Sequence, residues 1–249
     1  MKILICLSNV PDTTTKIKFT GDFKSFDATG VQWIINPWDE LALTRALEIK
    51  ETSGTTIEKV TVLTVGKADT EPTLRKALAI GADDAVRIDA DPKDAYQVAA
   101  EVADFLKAQP YDIVLCGIDS SDYNGSTVGG MIAEFLDCSS VSSVSGLQLE
   151  NGMVRLNREI DGGQEVVDTA LPCVAIVQKG IAKEPRIPSM RGIMMARTKP
   201  LTVKPPVASE ELSEFTAFEL PPAHAKCTMI DAENISELVD VFKNNLKII

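Results

Sequence analysis

The segment from Gly117 to Met131 is the part of the chain whose composition best suits ligand chemistry. It reads GIDSSDYNGSTVGGM and joins an apolar run to a helical pattern. Backbone N–H groups at the beginning of a helix lack intrahelical acceptors and attract anions. The hydroxyls of Ser126 and Thr127 could donate to phosphate oxygens, and Asp119 and Asp122 could bind ribose hydroxyls. An equally weighted interpretation is a long loop with Ser/Thr capping and a Gly-Gly pair that allows close helix packing.

Catalytic side chains are scarce. His224 is the only histidine, so Ser-His-Asp hydrolysis and histidine-ligated zinc have no second histidine, and we interpret His224 as a surface residue. Neither the dinucleotide fingerprint G-x-G-x-x-G nor a P-loop follows a predicted strand. The five cysteines are scattered without a C-x-x-C pair, which disfavours a metal cluster or a disulfide scaffold. We therefore expect reduced thiols, no catalytic residues and no metal ligands.

Asn36-Pro37-Trp38-Asp39-Glu40 is a second segment with binding potential. The free backbone N–H groups of a first helical turn could form hydrogen bonds with the edge of an adenine base. An N-capping asparagine, a proline at the first helical position and acidic residues near the positive helix end also explain every residue of this segment. On the residues alone we favour a well-capped helix.

Composition narrows the classes of partner. The formal charge of −11 over 249 residues disfavours binding to nucleic acid or to an anionic membrane surface. No apolar run reaches the roughly 18 residues of a membrane helix, so membrane insertion is not expected. The first residues lack the length and cleavage site of a signal peptide. These features together predict a cytoplasmic protein.

The elements that must position these residues alternate in the first half of the chain. Strands are predicted at Lys2–Leu7, Lys59–Val65, Asp84–Ile88 and Asp112–Cys116, and helices at 38–50, 70–80, 92–107 and from Gly125 or Ser126 to 136. This alternation predicts a doubly wound, mainly parallel α/β sheet. Ligands of such sheets bind beyond the carboxyl ends of the strands, where the 117–131 segment must lie.

The pattern changes after residue 136. Short strands at 144–149, 154–159, 165–170 and 173–177, punctuated by glycine turns, predict antiparallel additions to the sheet. A short helix near Ser189–Ala196 then closes an α/β domain spanning 1–198. Residues 199–249 read as a proline-rich C-terminal arm with a final amphipathic helix, Asn234 to about Asn244. Such an arm needs a surface to dock on, either its own domain or a partner.

Several segments together resemble the β subunit of electron-transfer flavoprotein. They are Val31–Glu51, Leu74–Asp83, Asp122–Ala133, Arg158–Gly163 with Leu171-Pro172, and Glu184–Arg186 with Gly192–Met194. Their order, spacing and length agree over nearly the whole chain. The fold that the resemblance implies is Rossmann-like and of the adenine-nucleotide-binding type.

The resemblance also implies a function, cofactors and partners. The family forms a heterodimer with a larger α subunit, takes electrons from flavin-dependent dehydrogenases and passes them to a quinone oxidoreductase or another acceptor. The redox FAD is held mainly by the α subunit, and the β subunit holds a structural AMP. In the electron-bifurcating type the same β site holds a second FAD, and Val128-Gly129 resembles that form. We expect AMP, with the second FAD and a stand-alone adenine-nucleotide sensor as alternatives.

Site residues are carried over by position from the resemblance. The implied nucleotide contacts are Cys6, Asn36, Pro37, Trp38, Asp39, Val65, Asp122, Tyr123, Asn124, Gly125, Ser126, Thr127, Val128, Gly129, Gly130, Met131 and Ala133. The phosphate is expected on Ser126 to Gly129. The implied contacts with partner dehydrogenases are Pro188, Ser189, Met190, Arg191 and Ile193, with Met190 as the apolar anchor.

Overall fold

The computed structural model describes residues 1–52, 56–150, 152–207, 209–224 and 226–249. Its strands are β1 (Lys2–Cys6), β2 (Asn9–Pro11), β3 (Trp33–Ile35), β4 (Lys59–Val65), β5 (Asp84–Ile88), β6 (Ile113–Gly117), β7 (Ser139–Glu150), β8 (Met153–Ile160), β9 (Gly163–Thr169), β10 (Cys173–Val177) and β11 (Leu201–Lys204). Its α-helices are α1 (Pro37–Thr52), α2 (Glu71–Ile80), α3 (Ala95–Ala108), α4 (Val128–Leu136), α5 (Met190–Ala196) and α6 (Ile235–Asp240).

One large sheet organises the molecule. Its strand order is β11-β5-β4-β1-β6-β10-β7-β8-β9. Neighbours from β11 to β7 run parallel, whereas β8 and β9 continue the sheet in antiparallel fashion. The mainly parallel, doubly wound α/β sheet with antiparallel additions is therefore confirmed.

The position of β10 differs from the prediction. The sequence places Cys173–Val177 among the antiparallel additions, but β10 lies between β6 and β7 and is parallel to both. All five of its residues are buried. An uninterrupted apolar strand of this kind suits the interior of a parallel sheet, where helices cover both faces, so the prediction was wrong for this strand.

Three further strands are absent from the sequence prediction. β11 pairs in parallel with β5, from Leu201 against Ala85 to Lys204 against Ile88, and so brings the first residues of the expected arm into the main sheet. β2 and β3 form a small antiparallel sheet between β1 and α1 in the chain. These strands have only three or four residues each, too few to show a period of two.

Helices cover both faces of the sheet and create two apolar layers. α1 and α2 pack on one face, where Ile3, Ile5, Leu43 and Leu74 are fully buried. α3 and α4 pack on the other face, over Leu4 and its neighbours. The chain folds in this way because the central parallel strands are apolar on both sides and the helices that cover them pack apolar side chains against the sheet.

The helix boundaries shift by a few residues from the prediction. α3 begins at Ala95 rather than Pro92, because the Asp94 carboxylate accepts a hydrogen bond from the Gln97 N–H and caps the helix. α4 begins at Val128, two or three residues later than expected. α6 begins after Asn234, as predicted, and continues as a π-helical segment, Val241–Leu246, with no buried residue in either part.

Candidate functional site

A cavity of about 420 Å³ lies at the carboxyl ends of β1, β4 and β6. This volume falls within the range of small-molecule and cofactor sites. The position follows from the topology, because the loops after parallel strands gather at one edge of the sheet. The residues at its border include Ser8 and Asn9 after β1, Val65 at the end of β4, and the residues from Gly117 to Ser120 after β6.

The structure brings part of the predicted site to this cavity. The predicted residues that border it are Cys6, Asp39, Val65, Asp122, Tyr123, Gly125, Ser126, Thr127 and Val128. The predicted residues that do not border it are Asn36, Pro37, Trp38, Asn124, Gly129, Gly130, Met131 and Ala133. Of the second group, Asn36 supports a loop at the cavity and Gly129 packs α4 on the sheet.

Asn36 holds the loop that follows β6. Its side chain is almost fully buried, and its Nδ2 donates to the Asp119 carbonyl over 2.8 Å. Its Oδ1 accepts a hydrogen bond from the Ser121 N–H over 3.2 Å. Both polar atoms of the side chain are therefore used within the protein, which makes Asn36 a positioning residue for the loop.

Asp39 connects the ends of two strands. One carboxylate oxygen accepts a hydrogen bond from the Ser8 N–H over 2.8 Å, and the other accepts one from the Gly117 N–H over 2.9 Å. The side chain is 2% exposed. Burial raises the pKa of Asp39 to about 7, against the lowering effect of these hydrogen bonds. A carboxyl group thus sits at the floor of the cavity with its pKa close to neutrality.

Gly117 permits this arrangement. A Cβ atom at Gly117 would overlap Asp39 Oδ1, and it would lie 2.8 Å from Trp38 Cβ and 3.1 Å from Asn36 Nδ2. Only glycine allows the strand end to approach the start of α1 so closely. The Asn-Pro-Trp-Asp segment and Gly117 are consequently parts of one contact.

The amino terminus of α4 faces the cavity without an internal cap. The side chain of Thr127, the N-cap residue, makes no capping hydrogen bond. Within this loop, all of which the structure describes, the backbone N–H groups of Ser126, Thr127 and Val128 have no protein acceptor. Asn124 and Ser126 adopt positive φ angles of 50° and 51°. The Ser/Thr-capping interpretation is therefore wrong for Thr127, and its hydroxyl remains available.

The two glycines of α4 have different environments. A Cβ at Gly129 would lie 2.7 Å from Ile176 Cγ1 and 3.3 Å from Cys116 Cβ, whereas one at Gly130 would meet nothing within 4 Å. Gly129 thus allows the helix to pack closely against β6 and β10. The close-packing interpretation holds for Gly129, which turns its α-carbon toward the sheet.

Charge around the cavity is predominantly negative. Lys93 is the single basic residue that borders it in the part of the chain that the structure describes, and its ammonium lies 2.5 Å from the Asp91 carboxylate. Asp94, Asp119 and Asp122 also border the cavity. A phosphate here would be bound mainly by the free amides and the positive end of α4.

Two border residues come from a part of the chain that sequence reasoning did not connect with the site. Ser213 and Phe215 line the cavity, although they follow β11 by about ten residues. The Phe215 ring packs on Tyr123 with the ring centroids 4.9 Å apart. The aromatic residues of this otherwise polar stretch, Phe215 and Phe218, could have indicated a docking segment but not its target.

The cysteines and the histidine are the remaining side chains of the kinds that bind metals or act as nucleophiles. Cys6, Cys116, Cys138, Cys173 and Cys227 are all free thiols. The neighbouring Cys6 thiol, together with burial, holds the pKa of Cys116 well above its usual range. His224 is exposed. No group of three or more potential metal-ligating side chains occurs among the described residues, and no helix among them is both long and apolar enough to cross a membrane.

The predicted partner-binding residues form an exposed tip at α5. Met190, the first residue of the helix, is 77% exposed, and Ser189, Arg191 and Ile193 are exposed beside it, whereas Pro188 is half-buried. The Ser189 hydroxyl caps the helix by accepting a hydrogen bond from the Gly192 N–H over 3.0 Å. The tip also carries exposed Ile187 and Met194. Several exposed apolar side chains close together in the chain, as here, are typical of an interaction site.

Comparison with known proteins identifies the family. The family model described as the electron transfer flavoprotein domain matches residues 24–209. The chain is 33% identical over 252 aligned positions to the electron transfer flavoprotein subunit beta of Syntrophomonas wolfei, covering 100% of this chain and 98% of that protein. It is 32% identical to the same subunit of Bacillus subtilis, with 100% of both chains covered.

A further relative carries a different name. The acryloyl-CoA reductase electron transfer subunit gamma of Anaerotignum propionicum is 31% identical over 209 aligned positions, which cover 82% of this chain and 77% of that protein. The family model covers most of the chain, and the first two relatives align over its whole length. The chain therefore belongs to the electron transfer flavoprotein family.

Proposed function

We propose that this chain is the β subunit of a heterodimeric electron-transfer flavoprotein and that its α/β domain binds a structural AMP. The main support for a nucleotide site is the cavity at the carboxyl ends of β1, β4 and β6, which the uncapped start of α4 borders. Membership of the family supports the role in electron transfer. The resemblance adds a larger α subunit as the partner that holds most of the redox FAD.

The residues at the cavity fit a phosphorylated ligand. The amides of Ser126, Thr127 and Val128 and the Thr127 hydroxyl are hydrogen-bond donors without partners in the protein. Asp119 and Asp122, at the opposite end of the loop, are suitable acceptors for ribose hydroxyls. AMP in this site supplies structure rather than chemistry: it would join the loops after β1, β4 and β6 into one rigid surface.

Electron transfer in this proposal occurs through the flavin of the partner subunit. The chain contributes the docking of electron donors, through the exposed α5 tip around Met190. The donors would be flavin-dependent dehydrogenases and the acceptor a quinone oxidoreductase or another carrier. The cytoplasmic location expected from the sequence stays a prediction.

The identity of the bound molecules tests this proposal. We would co-express the chain with its α subunit, purify the complex, denature it and quantify the released nucleotides by chromatography. The proposal predicts a yellow one-to-one complex that releases one AMP per FAD. Release of two FAD and no AMP would instead support the electron-bifurcating type. A chain that neither binds an α subunit nor retains a nucleotide would contradict the proposal.

A substitution at Thr127 tests the placement of the phosphate. Because the Thr127 side chain does not cap α4, Thr127→Val should leave the thermal midpoint of unfolding nearly unchanged while it weakens AMP binding about tenfold, the effect of roughly one hydrogen bond to a charged group. Thr127→Ser, which keeps the hydroxyl, is the matched control and should bind AMP normally. Equal AMP affinity in Thr127→Val and the wild type would remove Thr127 from the phosphate site.

A further inference from the structure

Residues 209–218, which we call the strap, run along the nucleotide cavity, and two of them, Ser213 and Phe215, line it. The strap comes from the C-terminal arm, which the sequence alone left free to dock on its own domain or on a partner. In the structure it contacts the start of α3, the loop after β6 and the turn around Phe19–Phe26. The first two of these elements border the cavity, and the turn around Phe19–Phe26 holds the end of the strap beside them.

The backbone of the strap is attached to the start of α3. Asp94 Oδ2 accepts hydrogen bonds from the N–H groups of Leu212 and Ser213, over 2.7 Å and 2.9 Å. The other oxygen of this carboxylate caps α3 through the Gln97 N–H. A single side chain thus fixes both the helix start and the strap.

Aromatic rings hold the second half of the strap. Phe215 packs on Tyr123 with the ring centroids 4.9 Å apart, and it packs on Phe218 at 5.6 Å. Phe218 in turn stacks on Phe19 at 5.2 Å, and its N–H donates to the Phe23 carbonyl over 2.8 Å. Tyr123 belongs to the loop that carries the free amides, so the contact with Phe215 lies directly at the nucleotide cavity.

The strap is held without a core of its own. Phe215 is 53% exposed and Leu212 is 61% exposed. Segments with few buried apolar contacts open locally at low cost, while the rest of the fold stays intact. The strap can therefore separate from the cavity without disturbing the sheet.

We propose that the strap is a lid on the nucleotide cavity and that the contact between Phe215 and Tyr123 must open before an adenine nucleotide enters or leaves. This inference rests on the proposed function, because it takes the cavity as the nucleotide site. Phe215 and Asp94 are positioning residues in this proposal. A lid limits association and dissociation alike, whereas a side chain that only contacts the ligand affects dissociation alone.

The test measures the association and dissociation rate constants of radiolabelled AMP for the complex of this chain with its α subunit. Phe215→Ala should raise the association and dissociation rate constants together, each by about tenfold, the upper end of what one aromatic pair contributes. Phe215→Tyr keeps an aromatic ring and should restore wild-type rates. Leu220→Ala, on the same arm beyond the strap, is the matched control and should leave both rate constants unchanged.

Asp94→Asn provides a second variant that keeps every apolar contact. Asparagine is as good an N-cap as aspartate, so α3 remains capped through Oδ1. Its amide nitrogen replaces the oxygen that accepts the N–H groups of Leu212 and Ser213, so the strap loses this attachment. Both rate constants should rise again, and this variant carries the test if Phe215→Ala fails to assemble.

The outcomes of these experiments distinguish a failure of the lid proposal from a failure of the proposed function. If both variants exchange AMP at the wild-type rates, or if only the dissociation rate constant rises, the strap is not a lid although the nucleotide site stands. If the wild-type complex binds no AMP at any concentration that saturates related nucleotide sites, the proposed function fails and the lid fails with it.

Discussion

Replacing Asp39 with asparagine should change how the stability of the protein depends on pH. Burial raises the pKa of Asp39 from 3.8 to about 7, so the folded protein retains a proton that the unfolded chain releases between about pH 4 and pH 7. The free energy of unfolding contributed by this group is therefore present below pH 4 and is lost as the pH rises to 7. At 1.36 kcal/mol per pKa unit the loss amounts to about 4 kcal/mol.

Asparagine at this position does not titrate. Asp39→Asn also replaces one acceptor of the Ser8 and Gly117 N–H groups by an amide nitrogen, which should cost roughly 1–3 kcal/mol at low pH. The wild type should then be more stable than the variant at pH 4.5 and less stable than it at pH 8, because the loss of about 4 kcal/mol exceeds the cost of the replaced acceptor. In this range the difference in the free energy of unfolding between the two proteins should change by no more than about 1.4 kcal/mol per pH unit, the value for one proton.

Guanidinium unfolding of the full chain, followed by the far-ultraviolet circular dichroism of its helices, measures this difference at several pH values. Asp161→Asn, in the exposed turn between β8 and β9, is the matched control for the exchange of an exposed aspartate for asparagine. Amide hydrogen exchange adds a local readout, because Ser8 or Gly117 should lose protection in Asp39→Asn. A difference between the wild type and Asp39→Asn that stays constant from pH 4.5 to 8 would refute the reasoning.

Four further substitutions test the packing and the docking surface. Gly129→Ala should destabilise the protein by about 1–3 kcal/mol, because the new methyl group meets Ile176 at 2.7 Å. Gly130→Ala, one residue further along α4 and in open space, should be neutral or stabilising by up to about 1 kcal/mol; equal thermal midpoints for the two variants would contradict the placement of α4. Gly117→Ala should lower the thermal midpoint and the AMP content together, since its Cβ would displace Asp39; a normal AMP content in a folded variant would show that this contact is dispensable. Met190→Ala should leave the FAD content of the complex unchanged and slow its reduction by a partner dehydrogenase in stopped-flow measurements, and unchanged rates would exclude Met190 as an anchor.

The position of β10 shows which features of the sheet could be predicted from the sequence. Its five apolar residues predict a strand, and the structure has the strand with the predicted bounds, Cys173–Val177. Its neighbours β6 and β7 lie 60 and 34 residues earlier in the chain, counted from the first residues of the strands. Periodicity reports only whether each face of a strand is buried, so it cannot name the strands that pair with it. The unbroken apolar run nevertheless favoured a parallel, two-sided environment over the edge that we expected.

The candidate site likewise has features that the sequence predicts and features that it does not. The free amides at the start of α4 could be predicted, because a glycine-rich loop before a helix exposes them whatever the rest of the fold does. The role of Asp39 could not, since a capping carboxylate in the first turn of α1 and a buried connection between two strand ends look identical in the sequence. The hydrogen bond between Gly117 and Asp39 exists only in the folded chain, because the two residues are 78 positions apart in the sequence.

The sequence by itself determined the longer strands and helices, the parallel class of sheet, the edge of the sheet at which its loops gather and the family. These properties follow from short-range patterns: the periods of strands and helices, the residues that cap them, and motifs of a few residues. The tertiary structure decided the strand order, the burial that raises the pKa of Asp39 and the placement of Phe215 over the cavity. Each of these depends on contacts between distant parts of the chain, and such contacts are selected by how well whole surfaces pack rather than by any local sequence.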